Sequence, residues 1–222
     1  MKSIHYTLQK KSIQYKQLGL LSSALLLLSV VLTIPSVKAE ETNFSRDVAA
    51  AIDDGLDWLD SQNVFSNPSS LSTANRDALG LAALSIMERR ISDDQNAAPV
   101  GYENATADDQ VKIQTLMTYI INRATGAAMY SYRDGGDLMA ISLYVRTGGP
   151  STQLAITAIN SIFDRFNGSQ SPYGFWAYRG MGNDSSTTQL VVAGLAGARA
   201  VFSDPRFTDA VRLGQLNTLA SN

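Results

Sequence analysis

The sequence predicts an all-α fold in which helical hairpins repeat along an arc. Three observations support this prediction. Seven segments carry apolar residues at helical spacing, no segment alternates long enough to form a strand, and one short unit occurs more than once. With 222 residues, 45% of them apolar, the chain is long enough for one domain with a substantial core.

The repeated unit consists of Tyr-Arg, a Gly three residues after the Arg, an Asp and then an apolar helix. The two full copies and the shorter third one are Tyr132-Arg133-x-x-Gly136-Asp137, Tyr178-Arg179-x-x-Gly182-x-Asp184 and Asn75-Arg76-Asp77. The three Asp positions lie 60 and 47 residues apart, which leaves room for two helices and their loops each time. This spacing predicts stacked or ring-forming hairpins whose helices begin near each Asp.

Residues 1–39 have the pattern of a targeting segment. The start is rich in Lys and has no acidic residue, and an apolar run follows over residues 18–34. Pro35 ends that run, and Val37-Lys38-Ala39 supplies small residues at the spacing a signal peptidase prefers. We therefore expect a signal peptide that is removed before Glu40. The alternative is an uncleaved membrane anchor, since about 17 apolar residues is the lower limit for spanning a bilayer.

Both alternatives place the rest of the chain outside the cytoplasm, in the periplasm or secreted. A membrane is a partner only if residues 18–34 stay as an anchor. Residues 40–47 are predicted to be a disordered lead-in, and residues 48–222 to be the repeat domain.

Seven helices are predicted in that domain, at residues 48–59, 77–90, 108–125, 137–146, 153–166, 185–199 and 208–219. The first has Ile52, Leu56 and Leu59 on one face, and the second ends in two arginines that suit the negative end of the helix dipole. Gly and Pro stop the third, fourth and fifth helices. Ser151 and Asp184 are predicted to cap the fifth and sixth helices.

The predicted helices are too few for a closed ring. A ring of six hairpins needs about twelve helices, so seven form an open arc. We expect either a partner that covers the exposed edge or a longer protein of which this chain is the N-terminal part.

Part of the sequence resembles a known family. Gly174-Phe175-Trp176, Tyr178 and Asp184-x-Ser186-x-Thr188 are similar to the prenyltransferase and squalene-oxidase repeats of terpenoid-cyclase-like α/α toroids. Gly55-x-x-Trp58-Leu59-x-x-Gln62 resembles the helical half of the glutamine–tryptophan motif of triterpene cyclases, with a shorter Trp–Gln spacing and no following Gly-x-Trp. The resemblance implies that the hairpins form an arc of an α/α toroid.

Composition excludes several kinds of chemistry. Cys is absent, and the single histidine, His5, lies in the predicted targeting segment. A Ser-His-Asp triad, a Cys–His pair and zinc sites built on His or Cys are therefore excluded for the mature chain. From residue 40 onward the chain has 13 basic and 20 acidic residues, a net charge of −7 that disfavours nucleic acid.

No cofactor and no metal are expected. Asp53-Asp54-x-x-Asp57 matches the aspartate-rich pattern that holds magnesium diphosphate in class I terpene synthases. With Asp60 nearby, a solvated acidic helix face accounts for the same residues. The Asp-x-Asp-Asp motif of class II cyclases is missing, as are the Cys and His ligands of protein prenyltransferases.

One group of residues could line a cleft at the concave end of the arc. These candidates are Tyr132, Arg133, Asp137, Trp176, Tyr178, Arg179 and Asp184. Aromatic rings and arginines there would suit a carbohydrate or a peptide. In the alternative interpretation the two Asp residues cap helices and the aromatic residues hold hairpins apart.

Two functions stay open on this sequence. The favoured one is an exported helical repeat domain without catalytic machinery, which binds a protein or ligand or belongs to an assembly. The other is a toroid enzyme that acts on an isoprenoid or on an acidic polysaccharide, with catalytic residues that the sequence does not identify.

Overall fold

All regular structure among the residues that the computed structural model describes is helical. The structure describes residues 42–92, 94 and 96–221, so the predicted targeting segment lies outside the described residues. Among these residues the only strand-like pairs are two isolated bridges, Arg90 with Pro99 and Trp176 with Asp184. The prediction of an all-α chain is confirmed.

Eight α-helices and one short 3-10 helix, Pro68–Ser70, make up this part of the chain. The α-helices are α1 Asn43–Ser61, α2 Thr73–Asp77, α3 Leu79–Met87, α4 Ala107–Ala124, α5 Ser131–Arg146, α6 Thr152–Asn167, α7 Ser185–Phe202 and α8 Ala210–Leu219.

The longer helices form two rows around α5. Helices α3, α5 and α7 pack side by side in one row, and α4 and α6 pack together in a second row against α5. Helix α8 follows on α7, and α1 contacts α3 at the other end. Successive helices therefore alternate between the rows, as hairpin repeats do.

Glycines let the helices of the first row approach at backbone distance. A Cβ atom on Gly80 of α3 would lie 2.4 Å from the carbonyl carbon of Gly136, and one on Gly135 would lie 2.5 Å from the carbonyl oxygen of Leu190 in α7. Gly194 of α7 in turn faces Gly135. Because real Cβ contacts are never this short, only glycine allows α5 to sit between its neighbours at this spacing.

The core lies between the two rows and is apolar. Ile113, Leu116 and Ile120 of α4 and Leu138 and Ile141 of α5 are completely buried. Fully buried aromatic rings extend the core toward α7, where Phe163 meets Phe202 edge to face with ring centroids 5.8 Å apart. Burial of this kind supplies most of the driving force for packing the hairpins.

Two helices begin earlier than predicted. Helix α1 starts at Asn43, within the segment predicted to be a disordered lead-in, because Thr42 and Ser45 form a reciprocal capping box. Helix α5 starts at Ser131 rather than near Asp137. Asp137 therefore lies in the second turn of the helix and does not cap it.

The remaining predicted helix starts have mixed outcomes. Asp184 caps α7 as predicted, since its Oδ1 accepts a hydrogen bond of 3.0 Å from the Thr187 N–H. Ser151 precedes α6, but its backbone is left-handed, with φ of 60°, and its side chain makes no capping bond. The predicted helix 77–90 corresponds to α3, and Asp77 is the last residue of α2 rather than the start of a helix, so that predicted start is wrong.

Candidate ligand-binding site

A group of tyrosines lies where the loop of residues 168–184, between α6 and α7, meets the start of α5. We call it the tyrosine patch and define it as Tyr130, Tyr132, Tyr178, Arg179, Asp184 and Ser186. The ring of Tyr178 lies 5.3 Å from that of Tyr132 and 6.4 Å from that of Tyr130, centroid to centroid. Three aromatic side chains from two distant parts of the sequence thus form one surface.

Hydrogen bonds hold the loop against α5. The N–H of Ser131 donates to the Tyr178 carbonyl at 3.0 Å, and the Ser131 hydroxyl donates to the Ala177 carbonyl. The first turn of a helix has free N–H groups that need acceptors. Here the Tyr178 carbonyl of the loop accepts from one of these groups, the Ser131 N–H, and this bond stabilises the start of α5 at Ser131.

Trp176 anchors the loop from beneath. Its indole is buried, and its Nε1–H donates to the Phe166 carbonyl at 2.8 Å. Its carbonyl accepts a bond of 2.6 Å from the Thr187 hydroxyl, and its N–H donates to the Thr188 hydroxyl at 3.0 Å. Trp176 therefore fixes the loop to α6 and α7 and is not available to a ligand.

The hydroxyl groups of the patch form a directed chain. The Tyr132 hydroxyl donates to Ser186 Oγ at 2.7 Å, and Ser186 Oγ–H donates to the Asp184 carboxylate at 2.6 Å. A hydrogen bond with the Tyr132 hydroxyl raises the pKa of Tyr178. The protons of the chain thus point toward Asp184.

The environment of Asp184 makes its carboxylate a weak base. The hydrogen bonds from the Ser186 hydroxyl and from the Thr187 N–H hold its pKa below the ordinary value. A general base at neutral pH works best with a pKa near 7. The chain of hydroxyls is therefore better suited to hydrogen-bond a ligand than to remove a proton from it.

Arg179 is the cation of the patch. It is exposed, and its guanidinium carbon lies 5.4 Å from the centroid of the Tyr130 ring. In the part of the chain that the structure describes, no carboxylate forms an ion pair with it.

Arg133 and Asp137, two other predicted site residues, belong to a separate buried cluster. Asp137 is 1% exposed and accepts two bonds from Arg123 of α4, at 3.0 Å to Nε and 2.6 Å to Nη2. Arg133 donates from Nε to Asp134 at 2.9 Å, and Arg165 of α6 donates to the same carboxylate at 3.0 Å. We call these five residues the buried ion-pair cluster.

The buried ion-pair cluster joins helix ends. Arg123 also donates to the Arg76 carbonyl in α2, and Arg165 donates to the Ala124 carbonyl at the end of α4, at 2.7 Å. Burial raises the pKa of Asp137 to about 6, against the opposing effect of Arg123. Such a value would suit a catalytic acid, but the carboxyl group has no access to a substrate. The cluster is structural.

The predicted cleft residues are thus only partly brought together. Tyr132, Tyr178, Arg179 and Asp184 meet in the tyrosine patch. Tyr130, which the sequence reasoning missed, lies two residues before Tyr132 in an aromatic run, so its position was a usable signal. Arg123 and Arg165 carry no signal of their own, because each lies at the end of another helix.

The aspartate-rich pattern lies on exposed positions of α1. Asp53 forms an ion pair with Arg89 at 3.2 Å, and Asp60 forms one with Lys112 at 2.7 Å. Within the described ranges, no group of three or more His, Cys, Asp or Glu side chains could hold a metal ion.

Among the described residues, cavities lie around α1, away from the tyrosine patch. One of about 380 Å³ lies between α1, α2 and α3, and Trp58 and Gln62 of the glutamine–tryptophan-like segment contribute to its lining. Two more, of about 210 and 280 Å³, share Asp53 and Arg89 and have charged walls.

No helix among the described residues is long and apolar enough to cross a membrane. No protein-family model, curated protein or solved structure matches this chain.

Proposed function

We propose that this chain is an exported, non-catalytic helical repeat domain that binds carbohydrate at the tyrosine patch. One observation carries the proposal: three tyrosine rings from two parts of the chain meet at a surface that also bears a hydroxyl chain and a cation. Aromatic faces stack on sugar rings, and hydroxyl and carboxylate groups exchange hydrogen bonds with sugar hydroxyls.

The surroundings of the patch suit an extended ligand. The same loop exposes Tyr173 at 72%, Phe175 at 38% and Met181 at 67%. Neighbouring exposed apolar and aromatic side chains of this kind are typical of surfaces that bind a ligand or a partner. A polymer that lies along the loop could meet more than one of them.

The carboxylates in and beneath the patch favour binding over catalysis. Asp184 is the single carboxylate of the patch, and its pKa is lowered. Asp134 and Asp137 are each 1% exposed and engaged by arginines. Hydrolysis of a glycoside needs a pair of accessible carboxyl groups about 5–10 Å apart, and the patch offers one.

Architecture and export belong to the same proposal. The alternation of helices between two rows supports an arc of an α/α toroid, as the repeat spacing predicts. The Lys-rich start and the apolar run of residues 18–34 support export with loss of residues 1–39. N-terminal sequencing of the exported protein should begin at or near Glu40, and recovery of the intact Met1 end in membranes would favour the anchor.

The binding proposal is tested with the purified protein in affinity electrophoresis through soluble neutral and acidic polysaccharides. Tyr178→Ala should abolish the retardation, because Tyr178 takes part in two of the three ring contacts of the patch. Phe44→Ala is the matched control, since Phe44 is 68% exposed on α1, outside the patch. Equal retardation of the wild type and of Tyr178→Ala, or none for the wild type on any polysaccharide, would refute the proposal.

A further inference from the structure

We propose that the saccharide bound by the tyrosine patch carries a carboxylate, as uronate sugars do, and that Arg179 is the residue that selects it. This inference rests on the proposed function and adds the chemical class of the ligand.

The hydroxyl chain offers mainly acceptors to a ligand. The Tyr132 proton points to Ser186, and the Ser186 proton points to Asp184. The lone pairs of these oxygens and the free carboxylate oxygen are what a ligand would meet. Such a surface binds a ligand that supplies donors, and the hydroxyl groups of a sugar ring are donors.

Arg179 supplies hydrogen-bond donors and a positive charge beside that chain of acceptors. A guanidinium that lies over an aromatic ring keeps its N–H donors at its edge, where they fit a carboxylate with two parallel bonds. The contact with Tyr130 therefore orients Arg179 without using its donors. A ligand with hydroxyl donors and one carboxylate acceptor would be complementary to both halves of the patch.

Arg133, the corresponding arginine of the first copy, already uses its guanidinium donors within the protein. Arg133 donates to Asp134 through Nε and Nη2 and to the Ala128 carbonyl, and its side chain is 15% exposed. Arg179 has the same place in the repeated unit but forms no ion pair within the described residues, and it is exposed. An exposed and pre-oriented guanidinium suits an anionic ligand at this position.

Titration calorimetry with matched ligands tests the inference. The probes are oligomers of galacturonate, of mannuronate and of hyaluronan, each beside its carboxyl-reduced counterpart, which keeps the ring and loses the charge. We expect at least one acidic oligomer to bind about tenfold more tightly than its reduced form, because a bidentate ion pair is lost on reduction.

Variants assign the preference to Arg179. Arg179→Gln should bind the acidic and the reduced oligomer equally, and Arg179→Lys should keep part of the preference. Arg199→Gln is the matched control, because Arg199 is exposed on α7 about 20 Å along the helix from Ser186. It should behave as the wild type does, and thermal melting shows whether each variant is folded.

The outcomes separate the two proposals. Equal binding of acidic and reduced oligomers, or an acidic preference that survives in Arg179→Gln, overturns the inference and leaves carbohydrate binding intact. Binding of neither form of any oligomer overturns the inference as well. If the neutral polysaccharides of the electrophoresis are not bound either, the proposed function also fails.

Discussion

The two full copies of the repeated unit share their Tyr, Arg, Gly and Asp residues but have different surroundings. In the first copy the segment from Ser131 onward is helical, and Asp137 is buried against Arg123. In the second copy the segment before Ser185 is an irregular loop, and Asp184 caps a helix at the surface. The tyrosines of the two copies, Tyr132 and Tyr178, meet at 5.3 Å.

Glycine has a different task in each copy. Gly135 has an ordinary helical backbone and is needed because α7 approaches it at backbone distance. Gly180 has φ of +88° and open space around its Cβ position, so it is needed for the turn itself.

The comparison shows how one sequence pattern can serve two purposes. The first copy lies between two neighbouring helices, so its charges are buried and pair within the protein. The second copy lies at the surface on top of the first, so its charge and rings are open to a ligand. The following predictions would break or sharpen this contrast, beginning with the largest expected effect.

Removing one member of the buried ion-pair cluster should be severe. Asp137→Ala should lower the free energy of unfolding by about 3–5 kcal/mol, because it leaves the Arg123 charge buried without a partner. The double variant Arg123→Met, Asp137→Leu should recover much of this loss, since it removes both charges. Urea unfolding measures both. A double variant as unstable as the single one would show that the cluster contributes more than charge pairing.

Filling the glycine contacts should separate the two copies. Gly135→Ala should cost about 3 kcal/mol or more, because the new methyl group meets the Leu190 carbonyl. Gly180→Ala should cost about 1–2 kcal/mol, the penalty for a left-handed backbone.

Gly214→Ala is the control for these glycine variants. Gly214 lies within α8 with open space at its Cβ position, so alanine should raise stability by about 0.5–1 kcal/mol. Thermal unfolding of the three variants gives the ranking. Equal losses in Gly135→Ala and Gly180→Ala would contradict the close packing of α5 and α7.

The buried carboxyl group of Asp137 should make the free energy of unfolding depend on pH. The pKa of Asp137 is raised to about 6 in the folded protein, from its ordinary value of 3.8. Between these values the folded state binds more protons than the unfolded state, so stability contributed by this group increases as the pH falls. Relative to Asp137→Asn, the wild type should gain about 1 kcal/mol between pH 7 and pH 5. Urea unfolding at the two pH values checks this, and a loss on acidification would contradict it.

The half-buried carboxylate of Asp184 should matter least for stability. Asp184→Asn should be mild because Asn also caps helices, whereas Asp184→Ala should lower the melting temperature by about 3 °C. The lowered pKa of Asp184 gives the opposite pH dependence to Asp137, since its contribution is lost only as the pH falls below the ordinary carboxyl range. If both variants melt at or above the wild-type temperature, the capping role is wrong.

Much of the fold followed from local patterns. Apolar spacing predicted the helical segments, and Asp184 was identified as a cap because capping needs only a side-chain oxygen and the next few N–H groups. The predicted equivalence of Asp137 and Asp184 was wrong. Their stability effects should therefore differ, because the loop carbonyl of Tyr178 extends α5 by six residues.

The candidate site was predictable in its aromatic and charged residues but not in their grouping. Tyr132, Tyr178, Arg179 and Asp184 were identified because the repeated unit marks them in the sequence. That Trp176 faces inward depends on the Phe166 carbonyl ten residues away in the sequence. No local pattern contains that information.

The sequence by itself determined the helices, the helix cap at Asp184 and the absence of Cys, and hence of thiol chemistry, because these depend on residue type and near-neighbour spacing. Only the tertiary structure decided that Asp137 is buried while Asp184 is half-buried at the surface. That choice depends on the approach of α3, α7 and the loop of residues 168–184 to α5, and so on contacts between residues about 45–60 positions apart. Those contacts decide whether the charge in a copy of the repeated unit is paired or free, because the Tyr, Arg, Gly and Asp residues of the unit are present in both copies.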